Sequence, residues 1–317
     1  MQYKLYVSHS PHIAGGDSVQ KIMLHVIIAL LPALLAGCLV FGSRALLVVL
    51  LCVVSCMIFE GLWQKILKKP VTISDMSAVV TGLLLGMNLP ASIPLWMPVI
   101  GSFFAIIIVK QFFGGLGHNF MNPALGARAF LLASWALPMT TFPIVDAVSS
   151  ATPLAAYAEN AGNLPTYLDL FFGNVGGCIG ETSALALLLG GAYLLIMGVI
   201  RLRVPVIFIA TVALGTWIFG GHNGLFTGDP LYQILSGGLM LGAIFMATDY
   251  TTTPFTPKGQ ILFALGCGII TVLIRIWGGY PEGVSYSILL MNVATPLIDR
   301  VCKPRRYGTS LLKKEVA

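Results

Sequence analysis

Charge is scarce in this chain. Asp, Glu, Lys and Arg make up 9% of its 317 residues, and its mean hydropathy is +0.89. A water-soluble globule uses about a quarter charged residues, so this composition excludes a soluble domain and reads as an integral membrane protein. Catalytic loops are missing too. There is no Walker loop, no serine-nucleophile elbow, and no G-x-G-x-x-G opening a helix after a strand. There is no C-x-x-C and no Cys/His cluster, so no metal centre is expected. Cys38, Cys52, Cys56 and Cys267 lie inside apolar runs, where cysteine behaves as a small hydrophobe. His9 and His12 form an H-x-x-H in a polar segment, read as a solvated tail. No cleavable signal peptide is read in the first 21 residues, which are polar and lack a small-residue cleavage pattern. The net charge of +6 does not imply nucleic acid, because the cations sit in short loops and at the C-terminus.

What the chain does have is apolar runs, ten of them: 22–40, 45–63, 76–89, 95–109, 124–137, 183–200, 204–219, 231–247, 261–277 and 284–298. Spanning a bilayer takes ~20 residues. The shorter, glycine-rich runs are spans with polar caps or broken helices that line a cavity. If all ten cross and the N-terminus is cytoplasmic, all but Arg44 and Arg275 of the 18 lysines and arginines fall on the cytoplasmic side, Lys110 and Arg128 among them. That is the positive-inside rule applied loop by loop. The longest loop, 139–183, then lies outside. It holds no lysine or arginine and four acids, Asp146, Glu159, Asp169 and Glu181. Its apolar anchors, Tyr157, Tyr167, Leu168, Phe171 and Phe172, predict an ordered loop resting on the membrane surface.

Two short motifs recur. "GLLLG" at Gly82–Gly86 returns as "GLMLG" at Gly238–Gly242, and "MNPA" at Met121–Ala124 returns as "MNVA" at Met291–Ala294. With five runs per half, the second half is reversed in the membrane. The expected fold is an all-α membrane protein of ten transmembrane helices in two inverted five-helix repeats. Its parts are a cytoplasmic N-terminal segment (1–21), a first repeat (22–138), an extracytoplasmic loop (139–182), a second repeat (183–300) and a basic cytoplasmic tail (301–317).

Four polar stretches interrupt the apolar background. "DAVSSATPLA" (146–155) reads by itself as a turn. "GNVGGCIGETSALA" (173–186) opens a helix after a glycine run. Its free N–H groups suit an anion or a polar ring; equally, Thr182 or Ser183 caps the helix and Glu181 complements its dipole. "MNPA" puts proline near the first helical position after Asn122. In "FMATDYTTTPFTPKGQ" (245–260), Asp249 directly follows an apolar run. It marks either an ion or proton path, with Thr248, Thr251 and Thr252 as further oxygens, or a solvated helix end.

Together, "DAVSSATPLA", "GETSALA", "MATDYTTTP" and "MNPA" resemble the D subunit of the Rnf complex, the ion-translocating ferredoxin:NAD oxidoreductase, and the related B subunit of the Na+-translocating NADH:quinone reductase. The likeness runs from about Ser10 to Arg306. It implies FMN joined through its phosphate to the hydroxyl of Thr152, within a pattern that Asp146, Ser149 and Ala151 complete; Ser150 stands where the family often has glycine. It also implies a flavin transferase during maturation and a second, noncovalent flavin such as riboflavin. Asn122, Thr182 and Ser183 are expected as further cofactor contacts, and Asp249 and Glu181 as candidates for the path of Na+ or H+. The implied setting is a multi-pass subunit of the bacterial cytoplasmic (inner) membrane. Both termini are cytoplasmic, the flavin loop is extracytoplasmic, and the neighbours are lipid and the complex's other membrane and iron–sulfur subunits. The competing class is a solute channel or transporter of inverted-repeat type without redox activity, which has no use for a flavin attachment pattern.

Overall fold

The computed structural model describes residues 18–142, 152–159, 164–221, 224–278 and 282–303. Among these residues the chain is helical, with no strand. Each of the ten apolar runs carries helix: α1 (Val19–Phe41), α2 (Ser43–Ile66), α3 (Ser77–Met87), α4 (Trp96–Phe103), α5 (Pro123–Ser134), and, after three short helices described below, α9 (Ala184–Ile196) and α10 (Arg203–Phe219). There follow α11 (Pro230–Leu235) with α12 (Leu239–Leu241), then α13 (Pro257–Trp277) and α14 (Val284–Val301). The short helices in the 139–183 loop and just before it are α6 (Ala136–Thr140), α7 (Pro153–Ala158) and α8 (Tyr167–Phe172). His9, His12, Asp146, Ser149, Ser150 and Ala151 lie outside the described residues.

α1, α2 and α13 are long and apolar enough to cross a membrane by themselves. α3 and α5 have 11 and 12 residues, roughly 16–18 Å at 1.5 Å per residue, against a hydrocarbon core of about 30 Å. α4 and α12 each widen into a π-helical segment, Phe104–Gln111 and Gly242–Met246. Such widening redirects side chains and is concentrated at functional sites.

Small residues set the packing. "GLLLG" is a G-x-x-x-G seam. A Cβ at Gly82 or Gly86 would stand 2.6 Å from Val53 Cα or 2.8 Å from Val49 Cα, so α3 lies backbone-to-backbone on α2. Across the two halves, α9 meets α1 in the same way, because a Cβ at Gly190 would fall 2.0 Å from the Ala29 carbonyl oxygen. The halves also meet through the repeated asparagines. With its amide oriented so that the nitrogen donates to Ile288 O (3.3 Å), Asn292 accepts from the Asn122 backbone N–H at 3.1 Å.

The loop after α6 is anchored from beneath. The Tyr157 ring stacks on Tyr232 at 5.1 Å and 24°. The Tyr232 hydroxyl donates to Pro153 O at 3.3 Å, which fixes the start of α7 on α11. Leu170 and Val175 are buried in the same cluster, while Tyr167, Leu168 and Phe172 remain exposed. α8 opens with a capping box. The Thr166 hydroxyl donates to the Asp169 carboxylate at 2.6 Å and holds that acid below the usual carboxylate range. Tyr167 donates to the Asp229 carboxylate, which raises the tyrosine's pKa.

Candidate functional site

Thr152 takes an extended conformation (φ −59°, ψ 153°), as the following proline requires, and its side chain accepts from Ala155 N at 3.2 Å to cap α7. It is half-buried on the rim of a cavity of about 300 Å³. The walls are mostly aliphatic, from Leu132, Met139, Leu154, Leu170 and Val175. The polar side chains besides Thr152 are few, Thr140, Ser236 and Tyr286 together with Arg128, Glu181, Glu282 and Ser285, and the last four lie together. Apolar walls with a small set of placed polar groups, at the lower end of ~300–1,000 Å³, have the character of a small-molecule pocket.

Arg128 corrects the reading of this residue as a cytoplasmic loop charge. It is a buried side chain of α5, 6% exposed. Its Nη1 donates to Asn88 Oδ1 (2.9 Å), Glu181 Oε1 (3.1 Å) and Ser285 Oγ (2.9 Å), and its Nη2 donates to the Glu282 carboxylate. Glu282 also accepts from the backbone N–H of Gly238 at 2.7 Å. Here the second copy of the glycine motif does different work from the first. A Cβ at Gly238 would stand 2.6 Å from Glu181 Oε1 and 2.7 Å from Glu282 Oε1, so the bare glycine makes room for two carboxyl groups. Arg275, assigned from sequence to an outer loop, is likewise buried at the end of α13, donating to the carbonyls of Gln233 (2.6 Å) and Ser236 (3.4 Å). The "GETS" motif divides its roles. Ser183 caps α9 by accepting from Ala186 N (3.3 Å), Thr182 is buried with its hydroxyl unpartnered among the described residues, and Glu181 turns to Arg128 instead of lying along the α9 dipole.

A second cavity, about 100 Å³, lies at the opposite ends of α5 and α9. Asn122, Asp249, Thr251, Ser77 and Lys110 line it. Asn122 caps α5 through Ala124 N (3.1 Å) and Leu125 N (3.3 Å). Asp249 accepts from Thr251 Oγ1 (2.9 Å) and Thr252 Oγ1 (3.2 Å); Thr248, also in the lining, donates to Ile244 O. Lys110, also counted from sequence as a loop charge, is buried. Its Nζ meets both oxygens of Glu60 at 2.9 Å and Ser77 Oγ at 2.7 Å, and Gln111 donates to Glu60 Oε1 at 2.8 Å. Sequence reasoning missed Glu60, Lys110, Arg128 and Glu282 as site residues. The signal was there for three of them: Glu60 and Arg128 lie inside apolar runs and Lys110 directly follows one, and ionisable residues at such positions are functional candidates.

The NQR2, RnfD, RnfE family matches residues 6–308. The chain is 56% identical to the D subunit of the Na(+)-translocating ferredoxin:NAD(+) oxidoreductase complex of Acetobacterium woodii, over 99% of this chain and 98% of that protein. It is 49% identical to the D subunit of the proton-translocating ferredoxin:NAD(+) oxidoreductase complex of Clostridium ljungdahlii, over 96% of each. It is 38% identical to the D subunit of the ion-translocating oxidoreductase complex of Stutzerimonas stutzeri, over 92% of this chain and 93% of that protein. With a match across nearly its whole length, this chain belongs to the NQR2, RnfD, RnfE family.

Proposed function

We propose that this chain is the D-type membrane subunit of an ion-translocating ferredoxin:NAD oxidoreductase complex, and that it relays electrons through FMN joined by its phosphate to Thr152. The observation that carries this reading is the position of the Thr152 hydroxyl at the mouth of a largely apolar cavity whose few polar groups converge on one wall. When bound, the flavin supplies one-electron chemistry. The chain's own residues hold the attachment point on α7, exclude water with the aliphatic walls, and set the local charge through Arg128, Glu181 and Glu282. The purified protein should carry a mass increment equal to one FMN less water, and alkaline cleavage of the phosphoester should remove it. An intact mass equal to the bare chain before alkali would sink the reading.

Ten spans in two inverted repeats, with both termini cytoplasmic and the 139–182 loop extracytoplasmic, remain the best topology. Setting aside the buried Lys110, Arg128 and Arg275, fourteen of the fifteen other cations still fall on the cytoplasmic side, with Arg44 alone outside. This supports the same orientation in the bacterial cytoplasmic membrane. The cavity with Asp249 then opens toward the cytoplasm, where Na+ or H+ would enter; relatives named for each ion are 56% and 49% identical to this chain. A second, noncovalent flavin such as riboflavin would belong near Asn122 only if that cavity widened, since about 100 Å³ is below the ~300 Å³ of ordinary ligand pockets. Partners are the complex's other membrane and iron–sulfur subunits, lipid, and a flavin transferase that modifies the extracytoplasmic loop.

Asp249 has two threonine hydroxyls and a cavity wall, the setting for a hard cation or a proton. Asp249→Asn should keep the flavin and lower the ions moved per electron in reconstituted vesicles. Unchanged coupling would make Asp249 a turn-stabilising residue only.

A further inference from the structure

We propose that Glu181 and Glu282 share one exchangeable proton and form a proton-exchange site in the wall of the Thr152 cavity, with Arg128 as its fixed counter-charge. Glu181 precedes α9 and Glu282 precedes α14, so two separate helix starts deliver the two acids to one point. That point is marked by Gly238, where a single Cβ would collide with an oxygen of each. Those two oxygens, 2.6 and 2.7 Å from the same point, lie at most 5.3 Å from each other. Two ionised carboxylates so close and so buried repel, and one proton held by the pair relieves this. Each acid also has a separate anchor that keeps it in place with or without that proton: Arg128 Nη1 on Glu181, and Arg128 Nη2 with Gly238 N–H on Glu282.

The other charged and titratable groups facing the pair are Arg275 from α13 and Cys178 from the glycine-rich loop. Two guanidinium groups and one singly protonated acid pair carry a net charge of +1. Loss of the proton brings the cluster to zero. The cavity therefore favours an added negative charge while the proton is present and loses that preference when it leaves. Resting on the flavin reading above, a flavin held in this cavity would have a proton-linked redox potential. The proton sharing itself stands without the flavin.

The test uses the full-length Thr152→Ala chain in lipid nanodiscs and its infrared spectrum in H2O and D2O. A protonated-carboxyl component that shifts on deuteration is expected, and it should vanish in both Glu181→Gln and Glu282→Gln made on that background. Subtracting variant from parent cancels every other carbonyl, any residual flavin included, so the result is independent of whether Thr152 carries FMN. An absent component in the parent, or one retained in either glutamine variant, overturns the proposal. A second readout needs no substitution in the cluster. In the wild-type chain the component should titrate away as pH rises, and a component unchanged across the whole range in which the protein stays folded also overturns it.

Discussion

Thr152→Ala should abolish in-gel flavin fluorescence of this protein while leaving its fold in place. The two effects separate by magnitude. Among the described residues the Thr152 side chain makes one hydrogen bond, the cap that it accepts from Ala155 N, and losing such a cap costs about 1 kcal/mol. The start of α7 keeps its other anchors, the Tyr232 hydroxyl on Pro153 O and the Tyr157–Tyr232 stack. Attachment, by contrast, has no graded form, because without the hydroxyl there is no oxygen to esterify. Ser149 and Ser150 lie close in sequence, but a transferase that reads the whole pattern should not shift to them. Electron transfer through the complex should fall as well, since tethering holds the group at a concentration that free diffusion does not match. Thr152→Ser keeps the hydroxyl and should retain part of the signal. A fluorescent band of full intensity in Thr152→Ala would mean that the flavin is held elsewhere.

Arg128→Met should be the most destabilising single change in the cavity wall. One guanidinium serves Asn88, Glu181, Ser285 and Glu282. Removing it strands two acids beside each other, and breaking a buried pair in this way costs about 3–5 kcal/mol. That is comparable to the whole stability of many domains, about 5–15 kcal/mol. Arg128→Lys should recover little, because an ammonium cannot span both carboxylates with a planar fork. Adding Glu181→Gln and Glu282→Gln to Arg128→Met removes the stranded charges and should restore much of the melting temperature. Equal melting temperatures for Arg128→Met and the triple variant would show that packing of the side chain, not its charge, holds α5 in place.

The helices, their caps and their order were legible because each depends on neighbours in sequence. Asn122 before Pro123 and Ser183 before the "ALALLLGG" run announce helix starts locally. The shortness of α3 and α5 was visible as well, in apolar runs too short to span a bilayer alone. The charge clusters did not show, because their partners are far apart in the chain. Arg128 finds Glu181 and Glu282 at separations of 53 and 154 residues, and Lys110 finds Glu60 at 50. Counting lysines and arginines as loop charges treats each alone, so it absorbed Lys110, Arg128 and Arg275 into a topology argument to which they do not contribute. The repeated glycine motif was visible, but its two uses were not. Nothing local distinguishes a glycine that seats a helix, such as Gly82, from one that clears space for carboxyl groups, such as Gly238.

The contact between Gly190 and the Ala29 carbonyl bears on how ions could pass. Many inverted-repeat carriers work by tilting one half against the other. Here α1 and α9 touch main chain to main chain at Gly190, and His25 and Tyr193 join the same two helices side chain to side chain at 2.8 Å. A sliding seam would have to lift these helices apart and break that contact. The geometry favours a stiff partition between the two chambers, at the ends of a helix 13 residues long, roughly 20 Å apart.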